Sequence, residues 1–447
     1  MKNLQTLTLS KKKSTYLILD AIEAEIEVLE NPYSLSIEDL FTMAARINKK
    51  RSFLFVSKVL GKHLPIHPDK GLLTASLLAA RYLESVKGVE PAGKERLIGS
   101  FLGTEPIVLS PFVPPEINPV VIGFAETATA LGHAFFDCFQ QAEFFHTTRE
   151  EILSHQPEIT FEEEHSHATS HRCYIPLEMI QNNREIILVD DEMTTGKTAL
   201  NIIKSIHNRY PRTQYTVVSI LDWRSQADRK EFSRLESQLG ITIHTVSLLA
   251  GNVGIKQLKE VEKHAEMEQM VEPGEINLEV ISLSSLFPQT TFISENPVNT
   301  VPFIKETGRF GLSSHENAAL HDNLLEAAGI LKAKRSGRRT LCLGTGEFMY
   351  LPMKIAAGMG SGVYYQSTTR SPIYIENRQG YGARYGISFP NPENPQISHQ
   401  IYNIPPGYYD EIFLFFEREV EFEMLRPLVK ELERLRTNSI KLVFFSK

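Results

Sequence analysis

Residues 185–198 read Glu-Ile-Ile-Leu-Val-Asp-Asp-Glu-Met-Thr-Thr-Gly-Lys-Thr. Ile186 to Val189 form a short unbroken apolar run, the pattern of a strand buried on both faces. Two carboxylates, Asp190 and Asp191, stand at its C-terminal end. Thr194, Thr195, Gly196, Lys197 and Thr198 then turn into a helical pattern with apolar positions at Ala199, Leu200, Ile202, Ile203 and Ile206. Ligands of open α/β sheets bind beyond the carboxyl ends of the strands. A helix N-terminus presents unpaired N–H groups and the positive end of its dipole to phosphate. Carboxylates for hydroxyls and a turn for a phosphate together suit a sugar phosphate. Gly196-Lys197-Thr198 also invites a nucleotide P-loop reading, but that loop needs a glycine five residues before Gly196, where Asp191 stands. The bland alternative is a βα unit whose acids are solvated at a strand end.

Outward from this stretch, strands and helices alternate. Phe53–Val56 reads as a strand and residues 69–87 as an amphipathic helix with Asp69 as its N-cap. Val120–Ile122 is a strand, followed by the turn Gly123-Phe124-Ala125-Glu126-Thr127 and a helix to about 141. Phe144–His146 is a strand ending in Thr147-Thr148-Arg149. After the opening stretch come a strand at 215–222, a helix near 226–238 and a strand at 241–249. This alternation predicts a mostly parallel sheet covered on both faces. Residues 150–184 are polar and irregular, and residues 265–305 lose periodicity. The expected division is a leader or extension with a short amphipathic element over 1–35, a first domain over 36–264, a linker over 265–305 and a second domain over 306–447.

Composition excludes several classes. Lys and Arg number 47 against 54 Asp and Glu, a net charge of −7, which argues against a general polyanion binder. Three widely spaced cysteines form no metal-type pair and suggest a reducing compartment. No apolar run reaches membrane-spanning length. The N-terminus carries Lys11, Lys12 and Lys13 without a following apolar stretch, so no secretory signal is expected. These readings describe a cytoplasmic protein without nucleic-acid or membrane partners.

The second segment echoes the first. Val121–Glu126 corresponds to Cys342–Glu347, and Phe144–Arg149 to Tyr365–Arg370. The spacing from Gly123 to Arg149 (149 − 123) equals that from Gly344 to Arg370 (370 − 344), 26 residues in each case. Glu185–Val189 likewise corresponds to Glu411–Phe415. The second copy has lost the chemistry: Phe416 and Glu417 stand for Asp190 and Asp191, and Val420-Glu421-Phe422 for the turn, with Glu419 and Glu423 beside it. Such acids repel phosphate.

The strand, acid pair and Thr-x-Gly-x-Thr turn resemble the PRPP-binding signature of type I phosphoribosyltransferases. With Thr369-Arg370-Ser371-Pro372 in the second segment, the chain resembles two-domain bacterial proteins in which an orotate-phosphoribosyltransferase-like domain precedes a TRSP domain, associated with tellurite-resistance and stress operons. The fold implied is α/β: a type I phosphoribosyltransferase-like parallel sheet flanked by helices, followed by a second, smaller α/β domain that is a diverged copy of the same core. The resemblance implies a Mg²⁺-dependent transfer of the 5-phosphoribosyl group of PRPP to a nitrogenous base-like acceptor, with release of pyrophosphate. It gives Asp190 and Asp191 the ribose hydroxyls, and Thr194, Thr195, Gly196, Lys197 and Thr198 the 5′-phosphate. The turn Ala125-Glu126-Thr127-Ala128 and Arg149 fall at the pyrophosphate side, and 161–172 at the mobile loop. A non-catalytic PRPP sensor is the rival reading.

Other candidates keep two readings each. Glu126 serves either the pyrophosphate turn or a helix cap. His165, His167 and His171 read as a lid, a solvated loop or a zinc set. Lys58 and Lys62 suit an anionic acceptor or a solvated turn. Trp223 either stacks on a base or fills the core. Arg370 is the second domain's candidate, reaching the first site across a pseudo-dimer; a homodimer is the other arrangement.

Overall fold

The computed structural model describes residues 12–47, 52–162, 170–261 and 276–447. In the first half the elements are β1 (Lys12–Ile18), β2 (Ile22–Glu30), α1 (Ile37–Leu40), β3 (Phe41–Ala45), β4 (Phe53–Ser57), α2 (Pro68–Tyr82) and α3 (Lys94–Leu102). There follow β5 (Val120–Gly123), α4 (Ala128–Phe136), β6 (Glu143–His146), β7 (Ile159–Glu162), β8 (Ser170–Cys173) and α5 (Leu177–Ile180). β9 (Ile186–Met193), α6 (Lys197–Arg209), β10 (Gln214–Asp222), α7 (Gln226–Leu239) and β11 (Thr242–Gln257) complete it.

The second half holds β12 (Asn277–Ser282), β13 (Leu312–Ser313), α8 (Ser314–Ala333), β14 (Thr340–Gly344), α9 (Tyr350–Gly358) and β15 (Val363–Ser367). It ends with β16 (Gly386–Asn391), β17 (Asn394–Tyr402), β18 (Glu411–Arg418), α10 (Phe422–Glu433) and β19 (Ser439–Ser446). Among the described residues, an eight-stranded sheet runs β1-β2-β11-β10-β9-β5-β6-β13 and a five-stranded sheet β12-β19-β18-β14-β15. No described helix is long and apolar enough to cross a membrane.

The sheet cores follow from sequence as expected. Ile186, Ile187, Leu188 and Val189 are all buried in β9, between parallel β5 and β10. α6 buries the five apolar positions read from its period. α2 is buried nearly all round, because it lies between the halves against α4, α9 and β15.

Two expectations are corrected and a third is narrowed. Of the leader or extension expected over 1–35, residues 12–30 are an extension: β1 and β2 form a hairpin that extends the first sheet antiparallel to β11. The signal was the period-2 alternation of β2, which buries Ile22, Ala24 and Ile26. Residues 150–184 carry the β7–β8 hairpin and α5. The described part of 265–305 is no linker. β12 pairs in parallel with β19, and further on an isolated antiparallel bridge joins Gln289 to Ile304, flanked by backbone bonds from Thr290 to Phe303 at 2.8 Å and from Phe303 to Phe292 at 3.0 Å.

The internal echo is a structural duplication. Strand order β10-β9-β5-β6 recurs as β19-β18-β14-β15, parallel throughout. The register is kept: Val121 faces Ile187 and Phe144 in the first sheet, and Cys342 faces Phe413 and Tyr365 in the second. Each half also supplies an edge to the other. Leu312 of β13 pairs with Phe144 of β6, and Ile66 exchanges two backbone bonds with Tyr365 of β15, at 2.9 and 2.8 Å. The halves are interlaced, so neither sheet keeps its own edge closed without the other.

Candidate functional site

The acid pair, the turn and Arg149 gather because their strands are neighbours. β5, β6 and β9 are parallel, so their C-terminal ends lie side by side. Phe124 donates its N–H to the Val189 carbonyl at 3.1 Å, which sets residues 125–128 beside Asp190. β9 continues through Met193, so both acids lie within the strand rather than after it. Asp190, Asp191, Thr194, Thr195 and Thr198 are half-buried, and Lys197 is exposed. Asp190 Oδ1 accepts the Asp191 N–H at 2.8 Å.

Gly196 makes the turn at 194–198 geometrically possible. Its φ is +75°, and a Cβ there would lie 2.5 Å from the Phe232 ring. It caps α6, whose first N–H groups face the turn. Gly196→Ala is expected to cost about 1–2 kcal/mol from the left-handed conformation alone, to displace Phe232, and to weaken anion binding at the turn. Denaturant midpoints and PRPP titration measure the two effects; a variant as stable and as tight as the parent contradicts this role.

The turn at 125–128 is almost wholly buried, and its Ala125–Glu126 peptide is cis. The Thr147 hydroxyl accepts the Ala125 N–H at 2.9 Å and meets His171 Nδ1 at 2.8 Å. His171 is therefore turned inward, stacked on Phe161 at 4.9 Å. His165 and His167 lie outside the described residues. Glu126 does not cap α4: its Oε1 is buried without a partner, and Oε2 lies 3.8 Å from Arg149 Nη1. The Lys62 ammonium donates to the Thr127 hydroxyl, and among the described residues it makes no ion pair. Next to it His63 is fully buried; burial, then Lys62 and Arg46, push its pKa well below 6.5, so the ring is neutral.

Two acceptor candidates are placed elsewhere. Lys58 donates to the Glu38 carbonyl at 2.7 Å and closes α1. Trp223 is a core residue, stacked on Phe55 at 5.2 Å and edge-on to Phe41 at 5.8 Å. It anchors the β3–β4 hairpin to the end of β10. That hairpin is completed by the second half: Tyr374 N–H bonds the Ala45 carbonyl at 3.0 Å, Gly382 N–H the Met43 carbonyl at 3.0 Å, and Ile47 N–H the Pro372 carbonyl at 3.0 Å.

The second half repeats this machinery with its site filled. The Thr368 hydroxyl accepts the Gly346 N–H at 3.0 Å and meets His399 Nδ1 at 3.0 Å, as Thr147 does with Ala125 and His171. Glu417, in the place of Asp191, is held by Arg309 Nη1 at 2.8 and 2.9 Å. Arg418 bonds Glu393 at 2.7 Å, and Phe303 packs beneath both guanidinium groups, 4.4 Å from Arg309 and 4.0 Å from Arg418. Burial opposes the charge on Arg309, but Glu417 and Glu347 outweigh it and keep the group protonated. Arg370 follows β15 as Arg149 follows β6. It is half-buried, and both it and Glu126 act electrostatically on His399.

Sequence reasoning missed one residue here. Glu347 reaches across the junction: its Oε1 accepts the Arg149 N–H at 2.8 Å and its Oε2 the Thr148 hydroxyl at 2.5 Å. The echo had placed Glu347 opposite Glu126, but no spacing says which way a side chain crosses.

Residues 40–252 match a family model described as phosphoribosyl transferase, and residues 306–432 match the model of a TRSP domain, C-terminal to that family. Solved structures with likeness include an adenine phosphoribosyl transferase from Trypanosoma brucei in complex with AMP, pyrophosphate and ribose-5-phosphate. It is 13% identical, with a TM-score of 0.30, over 49% of this chain and 82% of that one. The adenine phosphoribosyltransferase of Rhodothermus marinus is 16% identical, with a TM-score of 0.27, over 47% of this chain and 95% of that one. No curated protein matches the chain.

Proposed function

The chain being a two-domain protein in which a phosphoribosyl transferase domain precedes a TRSP domain, we propose that its first half transfers the 5-phosphoribosyl group of PRPP to a nitrogenous base-like acceptor and releases pyrophosphate. The observation that carries this reading is the convergence of the acid pair, the α6 turn and the 125–128 turn at the ends of adjacent strands.

In the reaction the bond from ribose C1 to the pyrophosphate oxygen breaks, and the pyrophosphate leaves with the electron pair. A bond from acceptor nitrogen to C1 forms, and the acceptor's proton passes to solvent. Positive charge develops on the ribose, as in glycoside hydrolysis. Asp190 and Asp191 bind the 2′- and 3′-hydroxyls and stabilise that charge. The N–H groups of residues 194–198 hold the 5′-phosphate. Lys62 and Arg149 face the turn and offset the charge of the departing pyrophosphate. This gives Lys62 a leaving-group role in place of the acceptor role first expected.

The residues suit a divalent cation bound mainly through substrate: Asp190 and Asp191 offer half-buried carboxylates at the end of β9, and Mg²⁺ characteristically keeps waters and substrate oxygens as ligands. Asp190 and Asp191 are the side chains that would stand near it. When bound, Mg²⁺ supplies charge neutralisation to the pyrophosphate.

The test incubates the protein with PRPP, Mg²⁺, candidate bases and cell extract, and follows pyrophosphate release. Release above that of an Asp190→Asn, Asp191→Asn control supports the transferase. Tight PRPP binding without release supports the sensor. Lys62→Ala is expected to lower kcat/KM for PRPP about 10- to 100-fold, the worth of one charged hydrogen bond. An unchanged kcat/KM removes Lys62 from the site.

A further inference from the structure

The two halves share a fold but not a direction of support. Glu126 and Glu347 are equivalent positions, each following the strand that carries the glycine turn, Gly123 in β5 and Gly344 in β14. Exact two-fold behaviour would have Glu126 accept from the Thr369 hydroxyl and the Arg370 N–H as Glu347 accepts from the Thr148 hydroxyl and the Arg149 N–H. It does not: Glu126 Oε1 is buried without a partner, and Oε2 turns back to Arg149 of its own half. Glu347 by contrast is engaged on both sides. Toward the first half it takes the Arg149 N–H and the Thr148 hydroxyl, and its carbonyl accepts the Thr129 hydroxyl at 3.2 Å. Toward its own half it lies 3.5 Å from Arg309 Nη2.

Arg309 is itself immobilised. Glu417 takes Nη1 with both oxygens, the Phe303 ring centroid lies 4.4 Å from the guanidinium carbon, and the side chain is 3% exposed. The lost PRPP site of the second half is thus a filled, charge-compensated plug whose outermost carboxylate projects into the first site.

We propose that Glu347 is a positioning residue for the first half: it holds the Arg149 N–H and the Thr148 hydroxyl, and the Arg309–Glu417 pair in the filled second site fixes Glu347. The proposal rests on the phosphoribosyl transfer reading and deepens it. Arg149 can face a pyrophosphate only if the chain after β6 is held still. A buried N–H and a buried hydroxyl both bonded to one carboxylate are a stiffer anchor than the strand end alone. On this view the second half is kept as a brace, and loss of its own chemistry is what frees Glu417 to hold Arg309.

The experiment uses the full chain and three substitutions. Glu347→Ala is expected to speed hydrogen exchange of the Arg149 amide while the β10 amides stay protected. It is also expected to weaken PRPP binding and lower kcat/KM about 10- to 100-fold, the scale of a misplacement near 1 Å. Glu347→Gln, which keeps an acceptor for the Arg149 N–H, recovers most of both effects. Glu347→Asp keeps the charge opposite Arg309 but withdraws it from Thr148 and Arg149. It carries the same readouts should the alanine variant fail to fold. Wild-type exchange at Arg149 together with wild-type PRPP affinity in the Ala or Asp variant overturns the proposal. If the parent protein binds no PRPP, the transfer reading falls, and the exchange measurement still decides the positioning role.

Discussion

Asp191→Asn is expected to cut PRPP-dependent pyrophosphate release about 10²- to 10³-fold, the usual cost of removing one preorganised electrostatic group from a transition state. The loss should fall on kcat, because the positive charge on ribose C1 exists only as the pyrophosphate leaves. A substitution that raises KM alone would assign Asp191 to ground-state binding of the hydroxyls. The isosteric amide keeps volume and one acceptor, so β9 and its pairing with β10 are retained. Asp190→Asn should show a related loss with one difference. Asp190 Oδ1 accepts the Asp191 N–H at 2.8 Å, and the amide oxygen keeps that bond only in one of its two flips, so a weaker hold on the neighbour adds to the lost charge. Steady-state kinetics with PRPP varied at saturating acceptor, once an acceptor is in hand, separates the two. Before then, equilibrium PRPP binding and pyrophosphate release in extract give the comparison. Full release from the double variant would remove the acid pair from the chemistry altogether.

Glu417→Ala is expected to destabilise the protein by about 3–5 kcal/mol, the cost of stranding a buried charge. Arg309 is 3% exposed on its side chain and loses the carboxylate that meets Nη1, keeping only the 3.5 Å approach of Glu347. The Ile304 N–H, which Glu417 Oε1 accepts at 3.3 Å, is stranded as well. Denaturant unfolding measures the change. Arg309→Met combined with Glu417→Leu should recover part of the loss, since a buried ion pair replaced whole by apolar groups is often nearly neutral. Recovery is incomplete because Glu347 then retains only its bonds to Thr148 and Arg149. A Glu417→Ala protein as stable as the parent would mean that water reaches Arg309 and that the second site is open.

The contrast between these two sites shows how far the sequence reaches. The apolar run of β9, the period of α6 and the Thr-x-Gly-x-Thr turn were legible because each is a local pattern with a local cause. Equal spacing of two echoes gave the duplication, and the register of β5 with β9 and of β14 with β18 bears it out. The N-terminal extension was only partly legible and the linker was misread, for different reasons. β2 had the alternation of a half-buried strand and its hairpin partner β1 beside it, but β11, which ties the hairpin to the sheet, lies more than two hundred residues on. β12 exposes much of its length at a sheet edge and lacks an apolar run.

Side-chain destinations divide in the same way. Trp223 and Lys58 are chemically able to bind a ligand, and only packing shows that Phe55 and Phe41 take the indole while the Glu38 carbonyl takes the ammonium. Lys62 and Arg309 each follow a glycine at the other half's sheet edge, Gly61 beside Tyr365 and Gly308 beside Phe144. One meets a threonine in a site suited to substrate, the other two carboxylates in a filled site. By itself the sequence determined which strands are buried, where the Thr-x-Gly-x-Thr turn lies and which copy kept its acids, since those follow from neighbours along the chain. Only the tertiary structure decided that the halves interlace and that Glu347 crosses to hold Arg149. Those contacts join residues about 200 positions apart, and their cost and gain arise from burial that no local spacing encodes.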